Sequence, residues 1–475
     1  MSKKTLNQTN LAALGAEQLA ALLMEVSAGS ADIKRRLRLE LSYNLGAGEL
    51  AHEVRKRLAS LGKSVSYISW RKRKGLVKDL TTQLAMITDK IAPDSPTEAF
   101  ELLWQFIEIA PPIYGRVDDS KGDVASVFDA ARTHFTDIAP RAVIDPTALV
   151  DRIWTVIRDN EYGEWDGIIT QLAPVLGTDG MQMLTKHLEA FADAPTTGRD
   201  TTHDAIAFLR NLRGDTSTAA SRRARYVQKY MREIATASQD TQAYIAQFKD
   251  AELRRQDIAA DIANRLLADG AAGDALARLN NADPTISAEG QDAWDAAYVA
   301  TMTALGEIED AQSHRWDCFA RDLNPRYLRD YIKLLPDFED IAAEERAREI
   351  VLVHPRFSTA LMFCLAWPDL ATAAQLITDR ESEISGDPAA VLTQAAEALR
   401  SRHPRAAVML WRAMIDHTLN RDLVFRFDAA VDHLANCDAV DAEIEDYGDM
   451  PDYDAYLMDL QTRHASKSAF WGKVK

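Results

Sequence analysis

Apolar residues recur at three- and four-residue intervals along most of the chain, which is the period of an amphipathic α-helix. Near the N-terminus this pattern predicts four helices, at 11–26, 33–45, 50–61 and 76–91. No segment alternates apolar and polar residues over four or more positions with enrichment in β-branched residues, and no Asn-Gly hairpin turn occurs. The pattern therefore predicts an all-α protein.

Further helices are predicted in the middle of the chain. Ser95 is a candidate N-cap, Pro96 stands at the first helical position, and the helix that follows stops at Pro111-Pro112. The same apolar period predicts helices at 124–138, 146–160, 181–191, 202–212, 222–237 and 250–267.

The C-terminal half shows a repeat-like spacing of its turns. Gly270 and Gly306 follow similar helix ends 36 positions apart, and Pro368 and Pro404 mark two further turns at the same interval. This interval is typical of tetratricopeptide (TPR) helix pairs. We therefore expect a TPR-like α-solenoid of helical hairpins, especially in this half. An ordinary helical bundle is the alternative.

These patterns predict three regions, since a chain of 475 residues exceeds what one core usually organises. They are a basic helical unit at 1–93, a middle helical region at 94–248 and an acidic TPR-like region at 249–475. Stretches without charge reach only about a dozen residues, short of the roughly 20 that a membrane span needs. Three cysteines without a CxxC pair suit a reducing compartment, so we expect a cytoplasmic protein without membrane association.

Charge is distributed unevenly. The formal net charge is −17, yet residues 1–90 hold 16 Lys and Arg against 8 Asp and Glu, a balance of +8, which leaves −25 for the remainder. Such asymmetry suggests either a polyanionic partner or docking of the basic segment on the acidic body of the chain.

The basic residues of this segment form the candidate binding site. They fall into three clusters on neighbouring predicted helices, and stacked hairpins could align them into one stripe that contacts phosphate groups. The candidate nucleic-acid-binding residues are Lys34, Arg35, Arg36, Arg38, Arg55, Lys56, Arg57, Trp70, Arg71, Lys72, Arg73 and Lys74. The alternative is that they form an ordinary solvated face.

No catalytic motif is present. The chain has no GxxxxGK[ST], GxGxxG, GxSxG or HExxH sequence. Asp416 and His417 are adjacent, but neighbours on a helix point about 100° apart and make a poor catalytic pair. The sequence therefore predicts no catalytic residues and no cofactor.

One pattern resembles a metal site. His314 and Cys318, and likewise His433 and Cys437, are four positions apart and share a helix face. If the two pairs faced each other they could bind zinc tetrahedrally, whereas the simpler interpretation is buried cysteines with surface histidines. We predict no metal. The acidic stretch 438–459 is interpreted as solvated surface, with Tyr447, Tyr453 and Tyr456 packing its helix or anchoring a partner.

Several strings resemble a known family. They are Ser66–Trp70 with Asp79-Leu80, Ala99–Phe106, His403–Ala407 with Arg412–Asp416, and Tyr447-Gly448 through Pro451-Asp452 to Phe470-Trp471. Together they resemble an uncharacterised bacterial family of all-helical proteins, common in α-proteobacteria and carried under a domain-of-unknown-function label. Its C-terminal region is similar to regions of SWIM zinc-finger proteins. This chain lacks the Cys/His set of a SWIM finger, and the family implies no catalytic residues.

Two functions remain from the sequence. The leading expectation is a non-enzymatic helical-repeat scaffold that binds a protein or peptide, because stacked repeats create an extended concave surface. The alternative is a nucleic-acid-associated protein that contacts phosphates through its basic N-terminal helices. An enzyme whose site is assembled from dispersed residues is a third, weaker interpretation.

Overall fold

The computed structural model of the chain describes residues 5–194, 219–286 and 289–474. Throughout these residues the secondary structure is helical, and the β pairing consists of one isolated bridge between Ile68 and Val117. The all-α prediction is confirmed for this part of the chain, whereas the helix predicted at 202–212 lies outside it. The chain divides into two compact units, which we name unit 1 (Met1–Lys249) and unit 2 (Asp250–Lys475).

The described helices of unit 1 are numbered in chain order. They are α1 (Gln8–Ala12), α2 (Ala16–Ala28), α3 (Ala31–Leu45), α4 (Ala47–Lys63), α5 (Trp70–Ala85), α6 (Pro96–Glu108), α7 (Ala110–Tyr114), α8 (Asp123–Thr133), α9 (Phe135–Ile138), α10 (Pro146–Arg158), α11 (Ile168–Asp193), α12 (Ala219–Ala237) and α13 (Thr241–Ile245). A π-helical segment (Met86–Ile91) extends α5, and a 3-10 turn (Ala139–Arg141) follows α9.

Local signals in the sequence account for several helix starts. The Ser30 side chain accepts a hydrogen bond from the backbone N–H of Ile33 and so caps α3, and Asp145 caps α10 through Thr147. Helix α6 begins at Pro96 as expected, although the Ser95 side chain makes no capping hydrogen bond. Proline at this position loses no helical hydrogen bond, since the first N–H groups of a helix have no partner within it.

The core of unit 1 is built around α6. Phe100, Trp104 and Phe106 are buried there, and Phe100 meets Phe135 edge-on at 5.5 Å between ring centroids. The N-terminal helices are less well covered. Leu41 and Leu45, which the apolar period places on the inner face of their helix, are 65% and 77% exposed. Periodicity identifies this helix correctly but not what covers its apolar stripe.

The described helices of unit 2 continue the numbering. They are α14 (Asp250–Leu253), α15 (Gln256–Ala268), α16 (Ala272–Asn280), α17 (Gln291–Leu305), α18 (Ile308–Asp322), α19 (Pro325–Ile332), α20 (Glu339–Val353), α21 (Phe357–Ala366), α22 (Leu370–Asp379), α23 (Ala389–Leu399), α24 (Pro404–Asn420), α25 (Phe427–Asp441), α26 (Tyr453–Arg463) and α27 (Ser468–Trp471). Short 3-10 turns lie at Glu381–Glu383 and Val424–Arg426.

Helix α24 is the central element of unit 2. It packs against α23 on one side and α25 on the other, and the Trp411 side chain is fully buried between them. Earlier in the unit, each helix from α15 to α19 contacts the next one along the chain. Within the described residues of both units, every helix falls short of the combined length and apolarity that a bilayer crossing requires.

Candidate binding clefts

The predicted basic residues are only partly brought together in unit 1. Helices α3 and α4 pack side by side and leave a cleft of about 340 Å³ between them, which we call the basic cleft. Five of the eleven predicted basic residues line it, with Glu53 as the accompanying carboxylate. The five are Lys34, Arg35, Arg38, Lys56 and Arg57.

Two of these five cations are already neutralised. Asp79 of α5 lies 2.9 Å from Arg57 Nε and 3.3 Å from Arg35 Nη1, and Asp32 lies 3.1 Å from the same Arg35 atom, so two carboxylates balance the two guanidinium groups. Lys34 Nζ donates to the Ala28 carbonyl at 3.1 Å, which leaves its charge unbalanced. Among the described carboxylates, none pairs with Lys34, Arg38 or Lys56. The basic cleft therefore keeps three uncompensated cations.

The other predicted residues point elsewhere. Arg36 pairs with Glu40 at 2.7 Å, and Arg55 pairs with Glu98 at 2.5 Å. Arg73 is only 6% exposed, and its guanidinium binds the Asp118 carbonyl at 2.9 Å and Asp123 at 2.8 Å. The continuous solvent-facing stripe expected from the sequence is thus interrupted, because Arg73 is directed inward. The remaining members of the third cluster are exposed, with the Arg71 guanidinium 5.2 Å from the Trp70 ring centroid; they are Trp70, Arg71, Lys72 and Lys74.

A buried polar network in unit 2 contains one of the two His/Cys pairs. Asp295 is fully buried, and its carboxylate lies 2.9 Å from His314 Nε2, 2.6 Å from Arg321 Nη2 and 3.1 Å from Gln291 Nε2. Asp295, His314 and Cys318 approach within 4.8 Å of one another, close enough to share a metal ion. His433 and Cys437 do not join this group, so the two pairs do not make the four-ligand site considered from the sequence.

The charges of this network favour a structural role. Burial alone would raise the pKa of Asp295, but hydrogen bonds from His314, Arg321 and Gln291 outweigh it and leave the pKa below its ordinary value. Burial, reinforced by the Asp295 charge, raises the pKa of Cys318 to about 12, so its thiol is not a ready nucleophile. Arg321 already occupies the carboxylate that a cation would need. The network therefore fixes α17 to α18.

A cleft of unit 2 measures about 570 Å³, within the range of ligand pockets. One wall is a face of α24 on which Met409, Arg412, Asp416 and Asn420 recur at three- and four-residue spacing. Tyr456 and Arg463 of α26 face them, and the loops at 384–385 and 450–451 close the sides. We call this the Arg412 cleft.

Two glycines let the loops approach α24 closely. Gly386 has a φ of +75°, and a Cβ there would stand 2.4 Å from the Ala413 carbonyl oxygen, so this position requires glycine. His417 Nδ1 lies 2.7 Å from the Ser385 carbonyl, which fixes the same loop. On the other side, a Cβ on Gly448 would stand 2.5 Å from Arg405 Nη2.

Arg412 is the unusual residue of this cleft. It is 6% exposed, its Nη1 donates to the Pro451 carbonyl at 2.6 Å, and its Cζ lies 4.3 Å from the Tyr456 ring centroid. No described carboxylate pairs with it. Burying a guanidinium costs several kcal/mol. A hydrogen bond to a charged group returns about 1.5–3 kcal/mol and a ring contact about 0.5–2 kcal/mol. These contacts anchor the segment around Pro451, but the positive charge itself has no counter-ion.

Several buried polar atoms of α24 and α26 have no hydrogen-bond partner among the described residues. Within the described part of unit 2, every buried side-chain nitrogen or oxygen without a hydrogen-bond partner belongs to α24, α26 or the residue after α26. They are Arg405 Nε, Trp411 Nε1, Arg412 Nε and Nη2, Tyr456 OH and His464 Nε2. Buried polar groups are normally paired. Of these residues, Arg412 and Tyr456 line the cleft, so their unpaired atoms are the ones that bear on a ligand there.

Asp416 and His417 both line the cleft but act separately. Asp416 binds Arg463 at 3.1 Å, and Arg463 is shared with Asp459 at 2.6 Å. Burial raises the pKa of Asp416 above its ordinary value, and Arg463 opposes that shift. His417 instead contacts the Ser385 carbonyl. The two side chains have different partners and show no acid–base pairing.

This cleft was not predicted from the sequence, because Arg412 has no other basic residue beside it. Arg412 lies within an apolar helix, and no run of like charge draws attention to it. A signal was nevertheless present. The two C-terminal strings on which the family resemblance rests meet here, since Arg412 contacts Pro451 and Arg405 packs against Gly448.

The described residues form an all-helical protein of two units, and each unit contains a cleft lined by charged residues. The model of a family described as "Family of unknown function (DUF6880)" matches residues 1–473. The chain belongs to this family, which confirms the resemblance to a domain-of-unknown-function family over nearly its whole length. No curated protein matches the chain.

Proposed function

We propose that the chain is a non-enzymatic helical scaffold that binds a protein or peptide partner in the Arg412 cleft. The observation that supports this most is the combination of a 570 Å³ volume with a mixed lining. Ile384, Met409 and Met450 offer apolar surface, while Arg412 and Asn420 offer hydrogen-bond donors. Peptide side chains bring both kinds of group, so a peptide segment suits this lining.

The TPR-like arrangement belongs to the same proposal. Successive helices from α15 to α19 contact their neighbours along the chain, and this is how helix pairs stack in a solenoid. Such a stack would present a surface beside which a partner could lie. The three cysteines are free and buried, which suits a reducing cytoplasmic location.

A non-enzymatic role is supported by the chemistry of the titratable groups. Burial raises the pKa of the thiols of Cys318, Cys364 and Cys437 to about 12 in each case, so none is poised as a nucleophile near neutral pH. Asp416 and His417 in the cleft have separate structural partners. A binding function therefore needs fewer assumptions than catalysis.

The proposal is tested by selecting peptides from a displayed random library on the immobilised full-length protein and measuring their affinities by fluorescence anisotropy. Asn420→Trp would fill the cleft from an exposed position of its wall. Gln461→Trp is the matched control, because Gln461 is exposed on α26 and does not line the cleft. We expect binding to fall at least ten-fold in Asn420→Trp and to persist in Gln461→Trp. Recovery of no binding peptide, or equal affinity for both variants, contradicts the proposal.

A second candidate is a nucleic-acid-associated protein, which is favoured by the three uncompensated cations of the basic cleft. Lys34, Arg38 and Lys56 could contact phosphate groups, and release of counterions would make the affinity depend on salt. The bacterial origin and the likeness of the C-terminal region to SWIM zinc-finger proteins also remain proposals. With three cysteines and no SWIM-type Cys/His set, the chain would bind nucleic acid through its own basic cleft.

This candidate is tested with labelled single- and double-stranded DNA and RNA, titrated by fluorescence anisotropy at several salt concentrations. Three phosphate contacts predict a slope of about −2 to −3 in log K against log salt. Lys34→Glu combined with Lys56→Glu should abolish binding, whereas reversal of the exposed Lys121 should leave it unchanged. No retention at low salt, or equal loss in the Lys121 variant, contradicts it.

A further inference from the structure

The charge balance of the Arg412 cleft identifies what kind of group its ligand brings. Three arginines and two carboxylates line the cleft. Asp416 is bound to Arg463, and Glu381 is an exposed residue of the Glu381–Glu383 turn. Arg421, also exposed, lies at the C-terminal end of α24. The buried Arg412 is left as a cation that no described carboxylate balances.

We infer that the Arg412 cleft contains a carboxylate subsite, in which the Arg412 guanidinium is the counter-cation for one acidic group of the bound peptide. The inference rests on the proposed function and adds the chemical class that the cleft selects. Arg412 is 6% exposed, and its Nε and Nη2 are buried without a hydrogen-bond partner among the described residues, while the guanidinium lies close enough to the Cys437 thiol to oppose the burial that raises the pKa of that thiol. A guanidinium with free donors is well suited to a planar carboxylate, which can accept two hydrogen bonds at once.

The neighbouring groups favour a single negative charge over a phosphate. Tyr456 contributes a second buried donor, because its hydroxyl also has no hydrogen-bond partner among the described residues. Asp416 stands one helical turn from Arg412 and also lines the cleft, so a dianion would meet repulsion there. A monoanionic carboxylate neutralises Arg412 and leaves no excess charge buried.

The contacts that Arg412 already makes do not remove the need for an anion. Its bond to the Pro451 carbonyl uses one of the five N–H donors of a guanidinium, and the ring of Tyr456 contacts its face. Both contacts position the side chain and hold the segment that follows α25. Positioning and anion binding are compatible, since a rigidly held guanidinium loses little freedom when a ligand arrives.

The apolar part of the cleft defines the residues that flank the acid. Ile384, Met409 and Met450 line the same space as Arg412. The ligand should therefore carry its carboxylate next to apolar side chains. The source of the carboxylate is either an acidic side chain within a peptide or the C-terminus of a chain. These two sources share the same chemistry and are separated by the probes.

The test uses ligand-observed NMR with the full-length protein and three N-acetylated tripeptides. The first is Leu-Glu-Leu with an amidated C-terminus, the second is its Gln counterpart, and the third is the Gln peptide with a free C-terminal carboxylate. We expect at least one acidic peptide to bind ten-fold more tightly than the neutral one, and the stronger of the two identifies the source. Equal affinity of all three peptides overturns the inference.

Variants localise the effect. Arg412→Met and Asn420→Trp should each remove the preference for the acidic peptide, while Gln461→Trp should retain it. Arg412→Met is used only if circular dichroism shows that it folds. If it does not fold, the inference is tested by comparing the affinities of the acidic and neutral peptides for the native protein and for Asn420→Trp. An acid preference that survives in folded Arg412→Met overturns the inference.

The two proposals fail in different ways. Library peptides that bind in the cleft without any enrichment of acidic residues keep the peptide-binding function and overturn the carboxylate subsite. The opposite outcome is that acidic tripeptides bind tightly and lose affinity in Asn420→Trp, while the library yields no peptide of greater length. That outcome supports the subsite and overturns the protein or peptide partner.

Discussion

Removal of the buried carboxylate of Asp295 should destabilise unit 2 substantially. Asp295→Ala leaves His314, Arg321 and Gln291 without their common acceptor. Breaking a buried ion pair costs about 3–5 kcal/mol. The Arg321 side chain is 43% exposed and also binds Asp322 at 2.7 Å, so water and this second partner recover part of that cost. We therefore expect a loss of about 2–4 kcal/mol in the free energy of unfolding.

The assay is urea unfolding of the full-length protein followed by far-ultraviolet circular dichroism, with intrinsic tryptophan fluorescence, to which Trp294 contributes, as a second probe. The Trp294 ring centroid lies 5.8 Å from that of His314. For a unit of this size, m is about 2–3 kcal/mol per molar urea, so the midpoint of the unit 2 transition should fall by about 1 M. Asp317→Ala is the control, because Asp317 is exposed on α18, the helix of His314 and Arg321, and its loss should cost within about 0.5 kcal/mol.

A double-mutant cycle with Arg321→Ala tests the physical cause. If the ion pair is responsible, the coupling energy between the two positions should be about 1–3 kcal/mol. The reasoning is refuted if Asp295→Ala costs less than about 1 kcal/mol, or if the two losses add to within about 0.5 kcal/mol. Either result would mean that the network contributes packing but no specific electrostatic stability.

The pH dependence of the same variant gives an independent check. The pKa of Asp295 is lower in the folded protein than its ordinary value of 3.8. Its contribution to stability is therefore fully present above that ordinary value and is lost as the pH falls through the lower folded-state pKa. The stability difference between the native protein and Asp295→Asn should stay constant from pH 7 to about pH 5 and shrink in more acidic solution. A difference that grows on acidification would contradict the sign of the shift.

Three further changes have distinct expected results. Gly386→Ala should lower the free energy of unfolding by at least about 2 kcal/mol in thermal unfolding, because it adds a collision with the Ala413 carbonyl to an unfavourable φ. Gly270→Ala is the control and should cost about 1 kcal/mol, because Gly270 has a φ of +76° but open space around it. Equal losses in the two variants would contradict the collision. Arg73→Ala should lower the free energy of unfolding of unit 1 by about 2–4 kcal/mol in urea, because it removes a buried ion pair. The control Lys72→Ala changes an exposed residue and should cost within about 0.5 kcal/mol. A small loss in Arg73→Ala would contradict the buried pairing of Arg73. A thiol reagent at pH 8 should modify no cysteine of the folded protein within minutes, because burial raises the pKa of each thiol to about 12. In denaturant the same reagent should modify all three cysteines. Rapid modification of the native protein would contradict their burial. The thiols are those of Cys318, Cys364 and Cys437.

The class of the fold could be predicted from the sequence because the signals for a helix lie in residues that are close together along the chain. The three- and four-residue period, Pro96 at a helix start and the absence of alternating segments all concern neighbours along the chain, and all agree with the structure. What covers each apolar stripe is a different question. Leu41 and Leu45 belong to a correct helix and yet face solvent, because burial depends on elements that are distant in sequence.

The candidate sites show the same division. The run from Arg71 to Lys74 looks like one positive patch, but a helix turns each successive residue by about 100° and Arg73 therefore points into the core. The carboxylates that pair with basic residues come from elsewhere in the sequence, as Asp123 does for Arg73 and Asp79 does for Arg35 and Arg57. Counting charges along the chain overestimates the free positive charge, since the carboxylates that remove it are invisible to a local count.

Arg412 illustrates the converse error. In the sequence it is one arginine in an apolar helix, and a charge count assigns it no significance. Its importance comes from three facts that only the fold supplies: it is buried, it lines a cleft of about 570 Å³, and no carboxylate among the described residues pairs with it. The exposed cations of the basic cleft gain little when they exchange water for a ligand, because water already solvates them; they are Lys34, Arg38 and Lys56. Arg412, which is 6% exposed, gains more from an anion, because its burial leaves little of the guanidinium surface for water to solvate. This difference makes the Arg412 cleft, and not the more heavily charged basic cleft, the stronger candidate for a specific ligand.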